Sequence, residues 1–283
     1  MMSIHSISFR RILAGFACAV ALPLLGGCSG FLTKAEDPQE VGRRLYAEKN
    51  YSEAAGAFRM AVKQDPRDYR AQYNLGTACD ADGRPLEAIE AYGSALDVMA
   101  ITYEGQADGA FRLTVLDALA QSIARSDPRD TQLNLRERKA KQTQKAEDFF
   151  LLAKIYRYRG DPDGALANYQ HAALLDNKYF PVLKEYGLYL QQVGQVQPAT
   201  AMLAQAYRVN DKDAQVAGAL RQLGVIPGPS LKEKDELAQP IVPKGPIPPL
   251  DLSKIGLGGS SDNTPAPLPQ PAAPASSLQA PRE

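Results

Sequence analysis

A spacing of 34 residues constrains this chain more than any other feature. The stretch AEDPQEVGRRLYAEKNYSEAAGAFRMAVKQDPRD, from Ala35, lines up with YRAQYNLGTACDADGRPLEAIEAYGSALDVMA, from Tyr69. Gly42 then answers Gly76, Leu45 answers Cys79, Ala54 answers Ala88, Phe58 answers Tyr92 and Ala61 answers Ala95. Two later windows, from Ala146 and Phe180, keep the same spacing: Ala153 matches Gly187, Gly160 matches Gly194, Ala165 matches Ala199, Tyr169 matches Leu203 and Ala172 matches Ala206. A unit recurring at this period cannot bury its apolar face alone, so neighbouring units must stack. The triplets Ala54/Phe58/Ala61, Ala88/Tyr92/Ala95 and Ala165/Tyr169/Ala172 lie at i, i+4 and i+7, one face of a helix, with alanines permitting close approach around a ring. Gly42, Gly76 and Gly187 fall where a first helix crosses its partner most tightly, and Gly83, Gly160 and Gly194 fall in the turns between the two. Asp65-Pro66 breaks the chain between the first two units.

These positions resemble the tetratricopeptide repeat (TPR), a pair of antiparallel helices per unit with a small residue early in the first helix and small and aromatic residues in the second. The resemblance covers about half of the chain. It implies an all-α fold, a right-handed TPR superhelix of four to five helix-turn-helix repeats near 35–68, 69–102, 146–179 and 180–213. The middle, 103–145, is longer than one unit and lacks the paired small residues. We read it as a degenerate fifth repeat with an insertion, in which FRLTVLDALAQSIARS forms an amphipathic helix and LRERKAKQTQKAED a polar one feeding the next unit, with a break at Ser126-Asp127-Pro128. The basic run from Arg136 to Lys145 is expected to be a solvated helix face, a binding patch being the alternative.

Past Asp211, KDAQVAGALRQLG sets Val216, Leu220 and Leu223 on one face and ends in Gly224, which suits a capping helix over 214–224. Residues 225–283 then hold 13 of the 21 prolines and show no apolar period, so this tail is expected to be disordered. Within it IVPKGPIPPLDLSKIGL, residues 241–257, is aliphatic enough to be a candidate docking segment, with an inert linker as the alternative.

The opposite end has the layout of a secretory signal: Arg10 and Arg11, an apolar stretch from Ile12 to Leu25, then small residues. The apolar stretch is short for a membrane-spanning helix. Leu25-Gly26-Gly27-Cys28 resembles the lipobox of bacterial lipoproteins. That resemblance implies cleavage after residue 27, a diacylglycerol on the Cys28 thiol and an acylated amine. Several acyl chains on one residue give stable attachment. Ser29, where an aspartate would suggest inner-membrane retention, implies the periplasmic face of the outer membrane. A short tether, 28–34, would then hold the repeats close to that membrane. With Cys18 lost in the signal and Cys28 lipidated, Cys79 has no intramolecular partner and is expected to be a small buried hydrophobe.

With 45% apolar and 23% charged residues the body reads as an ordinary water-soluble fold. Removal of the signal leaves a charge of about −2, too balanced for a nucleic-acid partner. No catalytic set assembles from the two histidines, His5 in the signal and His171 beside a packing alanine, and no metal or cofactor is expected. The remaining functional surface is the groove lined by the first helix of each unit, where extended peptides bind in such arrays. The repeat offset assigns to it Arg43, Tyr46, Arg70, Tyr73, Phe150, Lys154, Arg157, Tyr158 and Lys184, with about half of the rings expected to pack between helices instead. This basic and aromatic set, with Glu36, Asp80 and Glu147 among its few acids, suits a peptide carrying carboxylates and apolar anchors. Lipobox and repeats together resemble envelope lipoproteins, among them the TadD family of Tad (Flp) pilus assembly lipoproteins and related pilotins. The resemblance implies an outer-membrane adaptor whose client is a secretin or pilus component. An adaptor for peptidoglycan enzymes or for outer-membrane protein assembly is the alternative, and an envelope enzyme with its site in 101–145 a further one.

Overall fold

The computed structural model describes residues 36–102, 109–127, 129–229 and 231. The signal 1–27, Cys28, the tether and the tail from 232 onward, including 241–257, lie outside the described residues. Among the described residues there are eleven α-helices and no strand, stacked as an all-α helical-repeat solenoid. No helix among them is long and apolar enough to cross a membrane.

Four pairs are built alike: α1 (Pro38–Ala47) with α2 (Tyr51–Gln64), α3 (Tyr69–Ala81) with α4 (Pro85–Thr102), α7 (Ala146–Tyr158) with α8 (Pro162–Leu175), and α9 (Phe180–Gln192) with α10 (Val196–Val209). Each reversal takes three residues, because the first helix ends in a tight cap. The N–H groups of Asn50, Arg84, Asp161 and Gln195 reach back to the carbonyls of Leu45, Cys79, Tyr156 and Leu190 at 2.8–3.0 Å. That bond requires a left-handed residue just before it. Gly83, Gly160 and Gly194 supply it at φ between +72 and +79°, whereas the first unit uses Lys49 at φ +64°. Successive pairs are joined through Asp65, Asp176 and Asn210, whose side chains accept the N–H two residues on, at 2.9, 2.9 and 3.2 Å.

Within a pair, the small residue of the first helix receives the large one of the second. A Cβ on Gly42 would lie 2.6 Å from the Phe58 ring, one on Gly76 2.6 Å from the Tyr92 ring, and one on Gly187 2.7 Å from Leu203 Cγ. Ala153 and Tyr169, both fully buried, hold the same two positions in the α7–α8 pair. Cys79 is fully enclosed too, and burial pushes its thiol up, which removes the thiolate a reactive cysteine needs.

Helices α5 (Gly109–Ser126) and α6 (Thr131–Thr143) are arranged differently. The buried residues of α5, from Phe111 to Ile123, form a stripe wide enough to lie against both α4 and α7. Helix α6 buries only Leu133 and Ala140, rests on α7 and scarcely touches α5, so these two helices do not form a hairpin like the other four. Nor does the polar helix run into the next unit: Gln144 turns left-handed at φ +51° and separates α6 from α7. At the C-terminal end α11 (Ala214–Gln222) covers α9 and α10 with Val216, Ala217, Ala219 and Leu220. It stops at Gly224, φ +79°.

Candidate functional site

The first helices α3, α5, α7, α9 and α11 lie side by side, and polar or aromatic rungs tie neighbours together. In the 34-residue register Gln39, Tyr73, Phe150 and Lys184 occupy one position. Three of them reach the residue 29 places on, which is the N-cap of the next first helix. Gln39 donates to Asp68, Phe150 meets the Tyr179 ring edge-on at 6.1 Å, and Lys184 pairs with Asp213 at 2.7 Å. The carboxylate of Asp213 also accepts the Val216 N–H at 2.9 Å. Burial alone would raise its pKa, but these bonds reverse the shift and hold it below the ordinary value. Tyr73 instead packs edge-on against Phe111 of α5 at 5.1 Å.

Two of the four rings expected on the groove wall are therefore interior. Tyr73 is 1% and Phe150 0% exposed, because a ring at this position fits between neighbouring first helices. Tyr46 is half-buried against Tyr51 at 5.2 Å, and burial, reinforced by the neighbouring Tyr51, pushes its hydroxyl up to about 12. Tyr158 alone of the four tyrosine and phenylalanine candidates is well exposed, at 43%.

The expected cations are not a bare basic surface either. Arg43 pairs with Glu40 at 2.6 Å, and Arg70 stacks over Phe111 with its guanidinium carbon 5.2 Å from the ring centre. Lys154, only 5% exposed, bridges Asp117 of α5 at 2.9 Å and Glu185 of α9 at 2.7 Å. Asp117 also accepts from the Tyr158 hydroxyl at 2.7 Å and from Gln121 at 2.9 Å. Burial first, and then the charge of Asp117, push the Tyr158 hydroxyl above its ordinary range and keep it a donor. A second charged rung joins Asp80 of α3 to Arg125 of α5 at 2.7 Å. Asp117, Glu185 and Asp213 escape a sequence reading because each meets its cation across a unit boundary, and Asp117 stands in the one first helix with no repeat register.

Where α5, α7, α9 and α11 converge they enclose an open cleft of about 480 Å³. Leu113, Phe180, Pro181 and Leu188 give it apolar walls, and Tyr158, Lys184, Glu185 and Gln215 contribute polar groups. Arg157 also lines it. Among the described residues no carboxylate lies within ion-pair distance of Arg157, whose guanidinium stands over the Tyr189 ring at 5.3 Å and reaches Gln192 at 3.5 Å. This volume falls in the range of small-ligand and peptide side-chain pockets. No group of three or more histidine, cysteine or acidic side chains among the described residues could hold a metal ion.

Residues 42–102 match the tetratricopeptide repeat family. The TPR match spans α1 from Gly42 through α4, the pairs in which Gly42/Phe58 and Gly76/Tyr92 interlock. Among solved TPR structures, "YrrB: a TPR protein with an unusual peptide-binding site" aligns at 16% identity over 65% of this chain and 90% of its own, with a TM-score of 0.35. TTC0263, a thermophilic TPR protein in Thermus thermophilus, aligns at 18% identity over 66% of this chain and 96% of its own, with a TM-score of 0.36. The MamA protein aligns at 17% identity over 63% and 92% of the two chains, with a TM-score of 0.33. No curated protein matches the chain.

Proposed function

We propose that the protein is an adaptor that holds a segment of a client protein in the cleft between α5, α7, α9 and α11. The observation that carries this reading is Arg157, which lines the cleft beside its apolar residues with no carboxylate of the described residues within ion-pair distance, while both lysines in the same cleft are paired. A peptide bringing a carboxylate and an aliphatic side chain would satisfy both features, through a charge-assisted bond and burial of apolar area. A photo-crosslinking residue at Tyr158 is expected to trap one defined client in cells, and Arg157→Gln to reduce that adduct severalfold. The same residue at Leu174, exposed on a second helix, should trap none; equal adducts at both sites would overturn the reading.

The client is proposed to lie in the bacterial envelope. Support comes from the basic and apolar segment 10–25, from Leu25-Gly26-Gly27-Cys28, and from the layout shared with TPR lipoproteins of Tad (Flp) pilus assembly. In this reading the acyl chains on Cys28 fix the adaptor to the outer membrane and the cleft receives a secretin or pilus component. Peptidoglycan enzymes or outer-membrane assembly factors are the alternative clients. Mass spectrometry of the N-terminal peptide tests the anchor: a Cys28 carrying neither diacylglycerol nor an N-acyl group would refute it.

A further inference from the structure

We propose that the outer face of α6 is a docking surface for an acidic protein segment, separate from the cleft. The acids around α6 are each committed to a partner within the solenoid. Asp127 accepts the N–H groups of Thr131, Gln132 and Leu133 at 2.9, 2.7 and 2.9 Å, Asp130 pairs with Arg159, Glu137 accepts from the Tyr156 hydroxyl, and Asp148 accepts from Thr143 at 2.5 Å. Arg136 also points inward, over Gly93. What faces solvent is cationic: Arg138 and Lys141, about one turn apart on α6, and Lys145, which follows just past the left-handed Gln144. Among the described residues no acid pairs with any of these three, and Arg138 reaches only the Asn134 carbonyl at 3.4 Å. Lys139 at the edge of this face is 3.9 Å from Asp148.

The helix dipole favours cations in the last turn, which accounts for Lys141, but it does not call for Arg138 a turn earlier or for the pairing of every nearby acid. Arg138 and Lys141 stand about one helical turn apart in the last part of α6, and Lys145 adds a third charge at the turn into α7. A segment carrying several closely spaced carboxylates matches this cationic face in sign. An anionic bilayer is the weaker match: Leu135 is the one apolar side chain on this face, and no ring stands there to enter a headgroup layer.

Fluorescence anisotropy of the full chain with a labelled decaglutamate peptide at low salt tests the assignment. Arg138→Gln/Lys141→Gln/Lys145→Gln should weaken binding about tenfold, while neutralising the exposed Lys63, Lys178 and Lys212 should leave it unchanged. Circular dichroism verifies that both variants fold. Equal loss in the two variants, or no binding by the parent, overturns the proposal. So does binding to phosphatidylglycerol vesicles that depends on the same three residues in the absence of decaglutamate binding.

Discussion

Replacing Gly76 by alanine separates tertiary fit from helix propensity. A Cβ there would stand 2.6 Å from two atoms of the Tyr92 ring and 3.1 Å from a third, so the ring must retreat on the order of 1 Å to regain ordinary contact. It has little room. Tyr92 is 2% exposed and packs on Tyr73 at 5.7 Å, which in turn meets Phe111 at 5.1 Å. Overpacking of this kind costs about 1–3 kcal/mol, while the glycine-to-alanine exchange in a helix returns about 0.5–1 kcal/mol. The net expectation is a change of about 0–2.5 kcal/mol towards destabilisation. Gly56 is the control: it lies within α2, and a Cβ there meets nothing within 4 Å, so Gly56→Ala should stabilise by about 0.5–1 kcal/mol. Urea unfolding followed by circular dichroism reads the sign of each change. Hydrogen exchange of the α3 amides localises the loss, because repeat arrays need not unfold in one step. If Gly76→Ala stabilises as much as Gly56→Ala, the glycine–ring interlock does not set the helix crossing and the packing rationale fails.

Three further expectations concern the turn, the buried cation and one carboxylate. Lys49 holds the left-handed position that glycine fills in the other three pairs, so Lys49→Gly should raise the melting stability by about 0.5–1 kcal/mol; a decrease would mean the lysine contributes more than its backbone strain. Lys154→Met leaves Asp117 and Glu185 without their shared ammonium, and the loss should be about 2–3 kcal/mol by chemical denaturation. That is below the range for fully enclosed pairs because the two carboxylates are 33% and 23% exposed, and unchanged stability would refute the bridge. Burial raises the Asp80 pKa although Arg125 and Ser122 oppose it, so the folded state holds the proton more tightly than the unfolded chain. Asp80 therefore costs stability increasingly as pH climbs above 3.8 through its folded value, and fully beyond it. Asp80→Asn should be at least as stable as the parent at pH 7, with the gain shrinking towards pH 3.5; a gain independent of pH would contradict the sign.

The pairs were legible in the sequence because their packing is local. Gly42 and Phe58 are 16 residues apart, as are Gly76 and Tyr92, so one repeat contains both halves of the interlock and the register exposes it four times. The signal for α11 is equally local: Val216 and Leu220 are one turn apart and Gly224 ends the run. Helices α5 and α6 were visible as helices, but their placement was not. An amphipathic stripe states how much apolar surface a helix must cover and not which neighbours cover it, and α5, with a stripe running from Phe111 to Ile123, meets both α4 and α7. Once α5 has done so, α6 is left with two buried residues and α7 as its support.

The cleft matches its cations with acids that a single unit does not show, for a related reason. Register places residues on a face one unit at a time, whereas a cation on one first helix is neutralised by an acid on the next. Lys154 looks like a groove cation when only α7 is considered, and becomes the interior link of a three-helix bridge once Asp117 and Glu185 stand on either side. Such a bridge fixes spacing between units more than it attracts a ligand, since a buried pair must offset its own desolvation. Selectivity then falls to cations that no acid of the described residues pairs. In the cleft that cation is Arg157; on and just after α6 they are Arg138, Lys141 and Lys145. Two surfaces of this kind, formed by different helices, permit one chain to hold two acidic partners at once, and charge-neutral variants at one surface should leave binding at the other intact.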